Sequence, residues 1–145
     1  MNRELQHCEL SPEEPAIKSF EYTVETHKPF TDAVRAVEEK TVENGFRVLH
    51  THDVAATLNE KGFPCGPLKI VEVCNARYAS EVIQQDIRSA LMLPCPITVY
   101  TRNGKTFISA LLPTSMAEFL PQAAIQSVAE TVEGHVRKIV DEAKG

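Results

Sequence analysis

The chain has 145 residues, of which 43% are hydrophobic and 24% charged, a balance typical of one folded domain. Its formal net charge of −5 argues against general binding to nucleic acids, which requires a basic face. No stretch approaches the roughly 18 apolar residues of a membrane span, and the N-terminus lacks a secretion signal pattern, so we expect a cytoplasmic protein with no membrane partner.

The first part of the chain predicts a tail followed by a strand and a helix. Residues 1–19 contain few apolar side chains and no periodicity, which predicts a mobile acidic tail, and a single domain is expected over residues 20–145. Apolar and polar residues alternate over residues 20–25, which predicts a half-buried strand. A helix should begin near Pro29 and end at Gly45.

The next segment contains a possible metal site. A strand is expected over residues 46–51, followed by a short helix for which Asp53 fits the N-cap position. His50 and His52 are two residues apart and therefore point to one sheet face. If this strand pairs antiparallel with the next one, Cys65 falls near them, and two histidines with a thiolate can hold zinc or copper. A fourth ligand is missing, and an exposed histidine pair on a strand is the alternative.

The segment around Cys74 predicts a thiol beside a helix start. Residues 67–74 are mostly apolar on both faces, which predicts a buried strand. Asn75 then fits the N-cap of a helix. Unpaired amides at a helix start favour negative charge and can lower the pKa of a neighbouring thiol. The alternative is that Cys74 is a small buried residue at a strand end, where burial raises the pKa instead.

A second cysteine opens the following strand. Pro94 and Pro96 on either side of Cys95 predict a stiff, extended strand entry, and Asn103-Gly104 predicts a hairpin after that strand. A single helix of about 14 residues before it would span about 21 Å and carry the chain to the opposite end of the sheet. We therefore expect Cys74 and Cys95 to lie far apart, without a disulfide between them. The four cysteines fit reduced thiols.

The remaining chain predicts helices. Pro113 should end the sheet, and Ser115 with Glu118 fits a capping box for a short helical turn. From Pro121 onward, apolar residues recur at spacings of three and four, which predicts a long helix with one apolar face. That face either covers the sheet or contacts a second chain.

These motifs together resemble the domain of unknown function 302 family. The resemblance covers roughly residues 20–115 and rests on three short motifs in order, namely Asp53-Val54, Cys74-Asn75 and Leu93-Pro94-Cys95. Ala76 departs from the proline that the family usually has at the first helical position. The resemblance implies an α+β domain that forms a homodimer and has no established activity, although some relatives are associated with sulfur chemistry.

The predicted order of strands and helices gives the fold class and limits the function. Two split βαβ-like units predict an α+β domain in which an antiparallel sheet carries its helices on one face. No catalytic triad, phosphate loop or nucleotide fingerprint is present, and no cofactor is expected. We expect a dimeric module that binds a small ligand or a protein partner. The alternatives are a thiol-dependent sulfur or redox protein that uses Cys74 or Cys95, and a protein that binds a transition metal. The candidate site residues are Cys74, Asn75, Pro94, Cys95 and Asp53.

Overall fold

The computed structural model describes residues 19–145, so almost all of the predicted tail, including Cys8, lies outside the described part of the chain. Within that part, five strands form one antiparallel sheet in the order β1-β5-β4-β3-β2. The strands are β1 (Glu21–Thr26), β2 (Arg47–Asp53), β3 (Leu68–Cys74), β4 (Cys95–Arg102) and β5 (Lys105–Leu111). The α-helices are α1 (Phe30–Glu43), α2 (Val54–Glu60), α3 (Ala76–Gln85), α4 (Pro113–Ala117) and α5 (Ala123–Lys144), with a 3₁₀ helix at Ile87–Met92. The predicted α+β class is confirmed.

The main core lies between one face of the sheet and helices α1 and α5. Alternate residues of the three inner strands are buried there, because successive side chains of a strand point to opposite faces. Each fully buried valine or isoleucine contributes about 1.5–3 kcal/mol relative to an exposed one. The strand residues of this core are Val71, Val73, Ile97, Val99, Ile108 and Ala110.

Helix α5 uses its apolar face within the chain. Val136, Ile139 and Val140 are fully buried in the core cluster. The same helix is joined to strand β1, since the hydroxyl of Tyr22 donates to Asp141 at 2.6 Å. Of the two roles predicted for the apolar face of this helix, the structure shows that the face covers the sheet and is not left for a second chain. No helix among residues 19–145 is long and apolar enough to cross a bilayer.

Several local predictions are confirmed. Asn103 and Gly104 both have positive φ angles, 53° and 75°, as a type I′ hairpin turn requires. The Asp53 carboxylate accepts the Ala56 N–H at 2.9 Å and caps α2.

The predicted capping box is wrong, because Ser115 lies inside α4 and its hydroxyl donates to the carbonyl of Leu112 at 2.6 Å.

The connection between β3 and β4 differs from the prediction. Helix α3 ends at Gln85, because Asp86 has an extended conformation with φ −158° and ψ 115°. The 3₁₀ helix then brings the chain back, and β4 begins where β3 ends, with Cys95 opposite Val73. Because two short helices replace the one long helix that was expected, the chain does not move to the opposite end of the sheet. The prediction that Cys74 and Cys95 lie at opposite ends of the sheet is therefore wrong.

Candidate functional site

A cavity of about 80 Å³ lies at the end of the sheet where β3 ends and β4 begins. Its walls come from both buried clusters of the domain, the main core and a smaller cluster formed where α4 meets the start of α5. Helix α3, the 3₁₀ helix, α4 and the ends of the strands contribute the rest of the lining. No Asp, Glu, Lys, Arg or His side chain lines the cavity. The site is therefore apolar and carries no formal charge of its own.

Asn75 fixes the position of α3 beside the cavity. Its side-chain oxygen accepts the Tyr78 N–H at 3.2 Å, so the predicted N-cap is confirmed. Its side-chain amide donates to the carbonyl of Gly45 at 3.0 Å, which joins the start of α3 to the turn that follows α1. Tyr78 then packs against Phe46, with ring centroids 6.2 Å apart. Asn75, Tyr78 and Phe46 all line the cavity.

Cys74 and Cys95 are free cysteines, and both line the cavity. Burial, together with a smaller effect of the nearby Cys74, raises the pKa of the Cys95 thiol to about 11. Burial also raises the pKa of Cys74, while the backbone N–H of Asn75 acts in the opposite direction. Desolvation thus exceeds the effect of the helix-start amide. The structure favours the thiol form of Cys74 at neutral pH, contrary to the thiolate favoured by the helix-start reasoning.

The other two predicted site residues are Pro94 and Asp53. The Leu93–Pro94 peptide is cis, and Leu93 lines the cavity just before β4 begins. Asp53 lies opposite Lys69, at the far end of β3 from Cys74. Five residues of extended strand separate those two ends by about 17 Å. Asp53 therefore caps α2 and lies outside the cavity.

The predicted metal ligands do not form a metal site. The rings of His50 and His52 lie 4.3 Å apart between centroids, so the prediction that they share a sheet face is confirmed. His52 Nε2 lies 3.1 Å from a Glu72 carboxylate oxygen. Cys65 is buried and disulfide-bonded, so the expected reduced thiol is absent at this position. Within residues 19–145, no three His, Cys, Asp or Glu side chains converge to hold a metal ion.

The sequence analysis missed most of the lining residues, among them Ser89, Met92 and Met116. Ser89 and Met92 lie on the 3₁₀ helix, and Met116 lies on α4. The Ser89 hydroxyl is buried and has no hydrogen-bond partner within residues 19–145. The one local signal was a serine in the largely apolar segment at residues 87–92, which by itself does not distinguish a cavity wall from a surface turn.

Comparisons with known proteins place the chain in a family. A sequence model described as "Domain of unknown function DUF302" matches residues 22–143. A crystal structure described as that of an uncharacterized conserved protein DUF302 from Bacillus stearothermophilus is 30% identical in sequence, with a TM-score of 0.82. The match covers 86% of this chain and 98% of that chain. No curated protein matches the sequence. The chain belongs to the DUF302 family, a domain of unknown function.

Proposed function

We propose that the protein binds a small, mainly apolar molecule in the cavity at the end of the sheet. The observation that carries the proposal is an apolar cavity without a charged lining residue, held between two buried clusters. Ligand sites typically combine apolar walls with a few polar groups. Here the polar groups are the two thiols, Ser89, Asn75 and Tyr78.

The dimensions of the cavity limit the ligand to a small molecule. An apolar cavity of about 150 Å³ accommodates benzene, and the present volume of about 80 Å³ is roughly half of that. A ring or chain of about four or five carbon atoms therefore fits after small movements of the side chains. Met92 and Met116 are suited to such adjustment, because methionine is unbranched and has three rotatable bonds.

A second candidate function is thiol chemistry at Cys74 and Cys95. It is favoured by the placement of both free thiols in one cavity, which the sequence alone did not predict. The raised pKa values oppose it, because the thiolate is the reactive form. We therefore assign the thiols primarily to the wall of a binding site.

We further propose that two copies of the module pair through the sheet face opposite α1 and α5. The apolar side chains on that face are only partly buried, whereas core-facing residues of the same strands, such as Val71, Val99 and Ile108, are fully buried. Five strands and about six residues per strand give a face of about 24 Å by 20 Å. Two such faces bury about 1,000 Å², which is below the roughly 1,200–2,000 Å² of a standard stable interface and fits a weaker association. The apolar residues of this open face are Leu68, Ile70, Tyr100 and Phe107.

Ligand binding can be tested by NMR with methionine methyl groups labelled with carbon-13. Of the three methionines in the chain, Met92 and Met116 line the cavity. On titration with cyclopentanol to millimolar concentration, we expect the signals of Met92 and Met116 to move with a common saturation curve.

A matched pair of variants locates the binding. Ala79 on α3 lines the cavity, and Ala79→Leu should fill part of it and weaken binding about tenfold or more. Ala76 lies exposed on the same helix, and Ala76→Leu should leave the titration unchanged. The proposal fails if cyclopentanol shifts neither cavity methionine, or if Ala79→Leu binds it as tightly as the unaltered protein.

A further inference from the structure

Ser89 is a buried polar side chain whose hydrogen-bonding capacity is unused. It is 3% exposed, and its Oγ atom has no partner among the described residues. A hydroxyl can donate one hydrogen bond and accept two. Burying such a group without a partner costs free energy, so each case in a folded protein calls for an explanation.

The local backbone offers Ser89 a partner that the side chain does not use. Ser115 occupies a similar position in a short helix, and its hydroxyl donates to the carbonyl three residues earlier, at Leu112. For Ser89 the corresponding carbonyl belongs to Asp86, and it accepts the Ser89 backbone N–H at 3.0 Å. The Ser89 hydroxyl forms no bond of this kind, and Ser89 is one of the residues that line the cavity.

A lone water molecule is a poor explanation for this hydroxyl. A buried water typically makes about three hydrogen bonds. Around the cavity, however, the Asn75 side chain is occupied by Gly45 and Tyr78, and the Tyr78 hydroxyl lies 3.5 Å from His135. Thiols bond weakly, and the remaining walls are apolar. A molecule with an apolar body and one polar group matches these walls better than water does.

We propose that the ligand is an uncharged small molecule with a single hydroxyl or carbonyl group that hydrogen-bonds to Ser89 Oγ. This inference rests on the function proposed above and specifies its ligand class. Because no charged side chain lines the cavity, a carboxylate, phosphate or ammonium group buried against its walls would lack a compensating charge, which favours an uncharged ligand. Because Ser89 supplies the one available hydroxyl in the wall, the ligand needs a single polar group to pair with it.

The test compares cyclopentanol with cyclopentane, which share a ring and differ in the hydroxyl group. The affinity of each probe is expressed relative to its transfer from a matched apolar solvent. On this scale, we expect the unaltered protein to bind cyclopentanol about fivefold more tightly than cyclopentane, the usual effect of one net hydrogen bond. Ser89→Ala should abolish this difference and leave cyclopentane binding within about twofold. Ser80→Ala, at an exposed position on α3, should preserve the difference.

The outcomes separate this inference from the proposed function. If both probes bind and Ser89→Ala leaves the preference for the alcohol intact, the role of Ser89 is wrong while the cavity remains a binding site. If neither probe binds, both proposals are overturned. Ser89→Cys provides a second variant of nearly the same volume. It should weaken the preference for the alcohol, because a thiol is a poorer hydrogen-bonding group than a hydroxyl.

Discussion

At Cys74, two opposing effects act on one thiol. An amide at a helix start contributes about 0.3–1 kcal/mol, which is less than one pKa unit. Burial at the strand end acts in the other direction and is the larger effect at this residue. The sequence identified both effects, because the strand end and the N-cap at Asn75 are local features. It could not give the degree of burial, which depends on how distant helices pack over the strand.

Because the pKa values of both thiols are raised, we expect their alkylation to be slow at neutral pH and to become faster only at alkaline pH. Alkylation with iodoacetamide requires the thiolate, so its rate should rise with pH and reach its plateau only above the ordinary thiol pKa of about 8.5. We expect the Cys74 rate to titrate above the ordinary pKa of a thiol, because burial raises its pKa, and Cys95 to titrate near pH 11. Peptide mass spectrometry at each pH assigns the modified residue.

Two controls accompany the alkylation series. The denatured protein should be modified at both positions with an ordinary thiol profile, and Cys95→Ser should show whether the neighbouring thiol affects Cys74. A Cys74 rate that reaches its plateau below about pH 8 would contradict the assignment of the thiols to a wall. It would support the thiol-dependent function instead.

Among the elements, those with local signals were predictable from the sequence. The hairpin at Asn103-Gly104 and the N-caps at Asp53 and Asn75 each depend on residues adjacent in the chain. The break after α3 depends on distant contacts. The carboxylate of Asp86 accepts from Arg88 nearby, but also from Gln122 at 3.1 Å, 36 residues further along. These donors hold the pKa of Asp86 well below its usual range.

Helix α5 contains one glycine whose replacement should stabilise the protein. Gly134 is exposed, and a Cβ atom placed there would meet nothing within 4 Å. Since glycine in a helix interior is less favourable than alanine by about 0.8–1 kcal/mol, Gly134→Ala should raise the free energy of unfolding by about that amount. Urea unfolding followed by circular dichroism measures the change.

The control for this variant lies on the exposed side of the same helix. Ser127→Ala should give a smaller gain, of about 0.5 kcal/mol or less, because serine has a higher helix propensity than glycine. A neutral or destabilising Gly134→Ala would contradict the prediction. It would indicate a close backbone contact at Gly134 from a second chain.

For the whole molecule, the sequence predicted the sheet better than the cavity. The antiparallel sheet and the apolar face of α5 follow from periodicity along the chain. The cavity forms where α3, the 3₁₀ helix, α4 and α5 meet the strand ends, so its shape depends on contacts between distant segments. Cys74, Asn75 and Cys95 were predicted from their motifs. Ser89 and the two methionines have no local pattern that assigns them to a common site.

The proposed pairing of two chains through the open sheet face predicts a mass of twice 16.1 kDa by sedimentation equilibrium at micromolar concentration. Ile70 lies on that face, and Ile70→Glu should shift the mass to that of one chain, because a carboxylate cannot be buried there without a partner. Circular dichroism should show that the variant remains folded.

Leu91 provides the comparison for this experiment. It is an exposed apolar residue on the 3₁₀ helix, 88% accessible, and Leu91→Glu should leave the association unchanged. A single-chain mass for the unaltered protein would contradict the dimer. A single-chain mass for Leu91→Glu alone would place the second chain at the helical side of the molecule, and the proposal for the sheet face would then be wrong.

The irregular register of β2 affects how the protein can associate. The pairing of β2 with β3 shifts between Val48 and His50, which is a β-bulge on an edge strand. Such a bulge interrupts the row of backbone groups that an incoming strand would need for hydrogen bonding. At the opposite edge, β1 has only six residues and includes Glu21 and Glu25. Both margins of the sheet therefore resist strand addition, which protects the folded protein against edge-to-edge aggregation.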